Sequence, residues 1–405
     1  MRLEMQIKEK NLLQFFLILP FMEPALFREI GTVHKIYMLM KIVSAAVVVL
    51  IYMFKMIMPS AALWIVAGYE GSILLSTILN HGDVSSAVSN AIAILTVSAL
   101  IEYCMKTGAR FILHTIYCVF SFFTVINLLM VLYHGITVGA GWEGFVSFLG
   151  IDNRFVFIFL PMIAFGAVST RMMNRPIKKL MFITFIAFLT LLYTWSIAAM
   201  AAIAICIAVI YILNSNLRIK AFLEKMRLYW YLLIVAVLNI LIVFMHIQNY
   251  FYNFLVNYLH KDISLSGRIY LWMKGTEKIA QSPIIGHGLN EQKVGKLLEG
   301  LVHFHNYFIN MLYQGGFLAF GFFLLLNIVV VIKTRKYTNT YTYQIISFII
   351  FISLFLSVFD TLDYTYLYVF YIILGNLKYI EKVDIYTPEL WEILSEKLHL
   401  RKLLE

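Results

Sequence analysis

Apolar runs of about 20 residues recur along the whole 405-residue chain and alternate with short polar segments. A helix of that length crosses the hydrocarbon core of a bilayer, which is about 30 Å thick. Hydrophobic residues make up 61% of the chain and charged residues only 13%, whereas soluble domains are about one quarter charged. We therefore predict an all-α, polytopic membrane protein in which residues 1–405 form a single membrane-embedded domain.

The predicted membrane-spanning helices number about twelve. They are 11–27, 36–54, 60–79, 84–101, 111–133, 155–170, 180–195, 197–213, 228–247, 304–332, 342–359 and 364–380. The first is the weakest, because Pro20, Glu23 and Pro24 interrupt it. The apolar stretch 180–213 is too long for one helix, so we divide it at a turn near Thr194 to Ser196.

The loops that alternate along the chain differ in their basic residues. RMMNRPIKK at 171–179 and KTRK at 333–336 are short and strongly basic, which predicts that they face the cytoplasm. The net charge of +10 follows from this bias and does not require a nucleic-acid partner. In this orientation the long polar segment 248–303 is an extracytoplasmic loop, and 381–405 is a cytoplasmic amphipathic tail on the membrane surface.

The three cysteines, Cys104, Cys118 and Cys206, lie in or at the ends of apolar segments. They fit no disulfide framework and no metal-ligand spacing. We therefore expect no metal and no cofactor.

The extracytoplasmic loop contains SLSGRIYLWMKGTEKIAQSP, which has the pattern of a helix. Ser266 is suited to cap this helix, which is predicted to run from Arg268 to about Gln281 and to end before Pro283. An arginine in the first turn of a helix is well placed to hold a phosphate, since free N–H groups and two parallel guanidinium hydrogen bonds act together. The alternative is that Arg268 is solvated or pairs with Asp262.

Two further segments of the loop carry histidines. In PIIGHGLN, glycines flank His287 and suggest a tight turn, or a turn that cradles an anion. In HFHN, His303 and His305 open the next predicted span. A continuous helix from His303 places Asn306 on the same face and His305 nearly opposite, unless it breaks at Gly315–Gly316.

SGR followed by LW, SPIIGHG, and HFHN with a downstream GG together resemble the O-antigen ligase and Wzy-type polysaccharide polymerase superfamily. The ligase pattern of that family is His, then Asn, Ser or Gln, nine residues, Gly, two residues, and Gly, Thr or Tyr. Here His305 and Asn306 are followed at these spacings by Gly316 and Ala319, so only the last position departs. The resemblance implies a glycosyltransferase of the membrane-embedded C type, with one large, partly helical extracytoplasmic loop.

The resemblance also implies roles for residues. Arg268 would hold the diphosphate of a lipid-linked donor, and His305 would act as the base. Many members carry a Ser-Arg-Gly turn that corresponds here to Trp195-Ser196-Ile197, which has no arginine. We predict that Arg154, at the mouth of the sixth span, replaces it; the alternative for Arg154 is an interface anchor.

The remaining candidates would contact the sugars. His303 and Asn306 are suited to orient the acceptor. Tyr270 and Trp272 could stack on sugar rings, although packing is the commoner job of aromatic residues in a chain so rich in them.

The predicted function is therefore a polysaccharide polymerase that joins undecaprenyl-diphosphate-linked oligosaccharide repeat units on the outer face of the bacterial cytoplasmic membrane. A chain-length regulator and a flippase are the protein partners this suggests, and membrane lipid surrounds the chain. Two alternatives stay open: ligase-type transfer of the glycan to another acceptor, and a flippase or other transporter, for which Glu70 in mid-span would be a candidate residue. The Ile-, Tyr- and Lys-rich usage is typical of a low-GC organism, and a Gram-positive one would lack a lipid A core as acceptor, so polymerase is preferred.

Overall fold

The computed structural model describes residues 11–134, 146–215, 218–245, 247, 267–301, 303–360 and 364–380. These residues are almost entirely helical, and the part of the chain so described contains no β-strand, only an isolated bridge between Ser147 and Gly150. The all-α prediction is confirmed. The predicted tail 381–405 and the proposed cap Ser266, with Asp262, lie outside the described residues.

Besides two short 3-10 helices, Asp152–Phe155 and Leu377–Tyr379, the described residues form sixteen helices. They are α1 Asn11–Met22, α2 Ala25–Glu29, α3 Gly31–Phe54, α4 Ala61–Leu79, α5 Val84–Thr107, α6 Arg110–His134, α7 Val156–Met172, α8 Lys178–Tyr193, α9 Ile197–Leu213, α10 Ile219–Lys225, α11 Leu228–Val243, α12 Arg268–Gln281, α13 Glu291–Leu297, α14 Tyr307–Thr334, α15 Tyr341–Leu356 and α16 Tyr364–Gly375. A helix lies within every predicted span. Five of the described helices are long and apolar enough to cross a membrane, or six if α10 and α11, which meet at 85°, form one broken span.

The outer helices expose apolar side chains, which is the pattern of a protein surrounded by lipid and not by water. α3 has only a small buried share and exposes large apolar side chains such as Leu39, Val43 and Met53. α4, in contrast, packs between α14 and α5, and α16 packs against α5 and α14. Apolar residues that face outward along a whole helix are expected where the surroundings are lipid tails. The chain is therefore a helical membrane protein with α4, α14 and α16 near its centre.

Helix α14 differs from the single span predicted from His303. It begins at Tyr307, after an extended Asn306, and it is broken at Gly316, where φ is +61°. The prediction that His303 and Asn306 lie on a helical face was therefore wrong, because both residues precede the helix. The break at the Gly315–Gly316 pair, which was left open, is present.

The segment 283–288 fills this break in α14. Four backbone hydrogen bonds join the two: Phe317 N–H to Pro283 O (2.7 Å), Leu318 N–H to Ile284 O (3.1 Å), His287 N–H to Tyr313 O (2.6 Å) and Gly288 N–H to Gln314 O (3.0 Å). A side chain at Gly316 would place its Cβ 2.3 Å from Ile284 O, and one at Gly286 would place it 2.6 Å from Tyr313 O. An interrupted membrane helix is stable only if its freed backbone groups find partners, and this segment supplies them.

The same segment is held from its other side by the end of α4. Leu289 N–H donates to Thr77 Oγ1 at 2.9 Å, and Asp83 N–H donates to Leu289 O at 2.8 Å. The Asn80 amide donates to Gly286 O at 3.2 Å. Residues 283–289 of the long polar loop are therefore held between the end of α4 and the break in α14.

Candidate active site

Helix α12 positions Arg268. The helix runs from Arg268 to Gln281, as predicted, and its N-cap is Gly267 in a left-handed conformation (φ +79°). One face of α12 is apolar, and it joins α13, the 303–313 region and Val243 in a small core of its own. Leu271, Trp272 and Ile279 are the α12 residues in this core. Because that face is packed, the guanidinium at the start of the helix has a defined location.

Asn306 determines the turn that precedes α14. Its side-chain oxygen accepts a hydrogen bond from Ile309 N–H at 3.0 Å, so it is the N-cap of the helix. Its amide nitrogen donates to Asn239 Oδ1 (2.9 Å) and to Val358 O (3.0 Å), and the side chain is fully buried. Asn, Ser and Gln can each offer a side-chain oxygen to the backbone, which gives the second position of the motif a physical reason. Asn306 is thus used for structure and has no hydrogen left for an acceptor sugar.

His305 sits in this turn in a left-handed backbone conformation, with φ of +47°. Non-glycine residues occupy this region at a cost and often do so at functional sites. The ring Nδ1 lies 3.1 Å from Asp360 Oδ1. Since an ionised carboxylate can only accept, His305 donates the Nδ1 proton, and in the neutral ring the lone pair is then on Nε2.

Asp360 is brought to this place by the end of α15. Tyr307 N–H donates to Ser357 O at 2.8 Å, and the Asn306 amide reaches Val358 O. One backbone and one side-chain hydrogen bond therefore join the two turns, and Asp360 follows two residues after Val358. Sequence reasoning missed Asp360. The available signal was its position just after an apolar span, in SVFDTLD, but nothing in the spacing connects it with His305.

His303 and Arg154 complete the group. The His303 ring packs edge-on against that of His305 with centroids 4.1 Å apart, and Arg154 Nη2 donates to His303 Nε2 at 3.5 Å. Burial lowers the pKa of His303 to about 4, and the neighbouring His305 adds to this shift while Asp360 opposes it. His303 is therefore a neutral ring at neutral pH. The structure places Arg154 beside the histidine motif, although the two lie 149 residues apart.

Arg268 lies within electrostatic range of Asp360. Burial lowers the pKa of its guanidinium, and the Asp360 carboxylate opposes that shift by attraction. We call Arg154, Arg268, His303, His305 and Asp360 the His305 cluster. It contains two guanidinium groups and one carboxylate, so its formal charge is positive before either imidazole is counted. Such a cluster is suited to bind an anion with more than one charge beside a histidine oriented as a base.

Of the three other predicted site residues, Trp272 and His287 have structural contacts and Tyr270 is exposed. Trp272 is only 1% exposed and packs in the small core, which agrees with the packing alternative. His287 stacks on Tyr313 and donates from Nε2 to Lys278 O at 2.7 Å, so it joins α12 to the break in α14 instead of contributing to the cluster. Tyr270 is 46% exposed on α12, two residues from Arg268, and is available to a ligand.

The fold and the His305 cluster define the class of this protein. It is a helical membrane protein in which histidines and arginines from several elements form one site. Residues 182–324 match the family model of O-antigen ligase, a segment that runs from α8 through α12 to the middle of α14. This match confirms the resemblance to the O-antigen ligase and Wzy-type superfamily, and it contains Arg268, His303 and His305. No curated protein and no solved structure matches the chain significantly.

Proposed function

We propose that the chain is a polysaccharide polymerase that transfers a glycan from a lipid diphosphate to a sugar hydroxyl of another lipid-linked repeat unit. The observation that carries the proposal is the His305–Asp360 pair beside two arginines, within a segment that matches the O-antigen ligase family. The family includes ligases and polymerases, so the match supports lipid-linked oligosaccharides as substrates in either case. Residues 248–303 are then the extracytoplasmic catalytic loop.

In the proposed step, the acceptor hydroxyl oxygen bonds to the anomeric carbon of the donor while the bond from that carbon to the diphosphate oxygen breaks. The leaving lipid diphosphate gains negative charge. Arg268 and Arg154 stabilise this charge through charge-assisted hydrogen bonds. The step needs no nucleotide sugar, because the diphosphate ester already supplies the leaving group.

His305 accepts the proton of the acceptor hydroxyl at Nε2. Histidine titrates near neutral pH, and a base must have its lone pair free and correctly aimed. Asp360 provides both conditions, since it fixes the tautomer through Nδ1 and favours the imidazolium once it forms. His303 holds the His305 ring by packing against it, and Asn306 holds the turn in which His305 lies. Tyr270 can stack its ring on a sugar.

The wider assignment is that of a glycosyltransferase of the C type with about twelve membrane spans, located in the bacterial cytoplasmic membrane with the site on the outer side. Undecaprenyl diphosphate is the proposed lipid carrier, for a capsular or extracellular polysaccharide or an O-antigen. A flippase would supply the substrate, and a chain-length regulator would act on the product. The proposal requires no cofactor.

In vitro polymerisation tests the proposal. Purified protein in liposomes is given a lipid-diphosphate-linked repeat unit, and products are separated as a ladder. Arg268→Ala and His305→Ala should each abolish the ladder while unfolding at the temperature of the unaltered protein. Lys296→Ala is the matched control, because Lys296 is an exposed cation of the same loop. Ladders of normal length from either of the first two variants would remove the role assigned to that residue.

Ligase-type transfer and transport are alternatives that the same experiment separates. A ligase would leave the repeat unit unpolymerised and would use a different acceptor. A transporter would move the lipid-linked donor across the bilayer without forming a longer product. Glu70, the residue suggested for a transporter, is buried in α4, and its replacement by Gln should stop transport in that case.

A further inference from the structure

An open groove lies between α6 and α8, at the end of the molecule predicted to face the cytoplasm. Its volume is about 480 Å³, and its walls are predominantly apolar. Tyr117, Cys118 and Ser121 line it from α6, and Phe182 and Ile183 line it from the first turns of α8. This groove is not part of the His305 cluster, and the proposed reaction does not use it.

Basic side chains line one end of the groove. Lys178 and Lys179, the first residues of α8, also line it and are exposed. Arg175 donates from Nη1 to His114 Nε2 of α6 at 3.2 Å and lies within electrostatic range of Cys118. Two lysines therefore line the apolar groove, and Arg175 adds a third positive charge near Cys118.

The helices that form the groove, and the turn that precedes α8, contain no acidic residue. Residues 103–142 and 154–223 contain no Asp or Glu, so neither α6 and α8 nor the turn between α7 and α8 offers a carboxylate. Within the described part of the chain, no ion pair involves Lys178 or Lys179. An apolar groove that ends in two exposed lysines at the membrane surface is complementary to an anionic headgroup with an attached acyl chain.

We propose that this groove binds one anionic phospholipid of the inner leaflet. The phosphate lies against Lys178 and Lys179, and an acyl chain lies along the apolar side chains of α6 and α8. Zwitterionic lipids fit the apolar part equally well but gain less from the lysines. The proposal does not depend on the function proposed above.

The chain contains its own reporter for this site. Cys118 lines the groove and is exposed, whereas Cys104 and Cys206 are buried. Full-length protein in detergent is treated with a maleimide, and the rate of Cys118 modification is measured by mass spectrometry with increasing phosphatidylglycerol or phosphatidylcholine. Phosphatidylglycerol should slow the modification at lower concentration than phosphatidylcholine does.

Removal of the two lysines tests the headgroup contact. With Lys178→Gln/Lys179→Gln, half-protection should need roughly 30-fold more phosphatidylglycerol, since each lysine near an anionic headgroup contributes about a fivefold effect. Lys333→Gln/Lys336→Gln removes two exposed cations from another loop and should leave protection unchanged. Equal protection by the two lipids, an unaltered lysine variant, or equal protection by inorganic phosphate alone would overturn the proposal.

Discussion

Replacement of Asp360 by Asn tests the central contact of the proposed site. The change keeps the shape of the side chain but removes the charge that favours the imidazolium of His305. A hydrogen bond to a charged group contributes about 1.5–3 kcal/mol, which corresponds to a rate change of roughly 10- to 150-fold. The two side chains are 24% and 19% exposed, so solvent weakens the contact. We therefore expect a decrease in kcat of about 10- to 30-fold.

The assay is the initial rate of polymerisation in liposomes at varied donor concentration. Because Asp360 acts through the base, kcat should fall while KM stays nearly constant. His305→Ala should lower the rate by about 10²–10⁴, and the double variant should be no slower than His305→Ala alone, since both changes remove one function. Glu291→Gln, which alters an exposed carboxylate of the same loop, is the control.

Two results would refute this reasoning. If Asp360→Asn has the rate of the unaltered protein, the carboxylate does not orient the base. If Asp360→Asn raises KM at constant kcat, Asp360 serves to hold Arg268 for donor binding, which its electrostatic attraction to that guanidinium would explain.

Other predictions follow from the loop and its turn. Gly316→Ala should destabilise the protein by more than about 2 kcal/mol, since φ is +61° and the new Cβ would meet Ile284 O at 2.3 Å; Gly295→Ala, with open space around it, should not lower the unfolding temperature. Asn306→Ala should cost about 0.5–2 kcal/mol through the lost N-cap alone and should also reduce kcat, and unaltered unfolding in a thermal scan would contradict the cap. The lowered pKa of His303 means that the unfolded state binds more protons between its ordinary value near 6.5 and about 4, so stability should fall as pH decreases through this range. His303→Gln should reduce that dependence, and an unchanged pH profile of the unfolding temperature would show that His303 is not its source.

Sequence patterns predict the helices and several turns of this protein, because these features depend on residues that are close together in the chain. Apolar runs of membrane length determined where helices form, since backbone groups in lipid must be paired within the segment. The limits of α12, from Arg268 to just before Pro283, were predicted for similar local reasons, although its N-cap is Gly267 and not the predicted Ser266. The glycines that flank His287 indicated the turn at 286–288, and the Gly315–Gly316 pair marked the possible break in α14.

Helical periodicity did not predict the start of α14 correctly. The sequence HFHNYF continues the polar-to-apolar gradient of a span, so a helix from His303 was a reasonable expectation. The helix starts at Tyr307 instead, because Asn306 finds partners in α11 and after α15. Its cap is thus determined by residues about 50 to 70 positions away in the chain.

By itself, the sequence determined that this chain is a helical membrane protein with a polar segment that bears Arg268 and His305, because hydropathy, helix limits and motif spacing are properties of neighbouring residues. Only the tertiary structure decided that Asp360 orients His305, that Arg154 reaches His303, and that segment 283–288 closes the break in α14. These are contacts between groups far apart in the chain. They follow from how α4, α12, α14 and α15 pack, and packing depends on all of these helices at once.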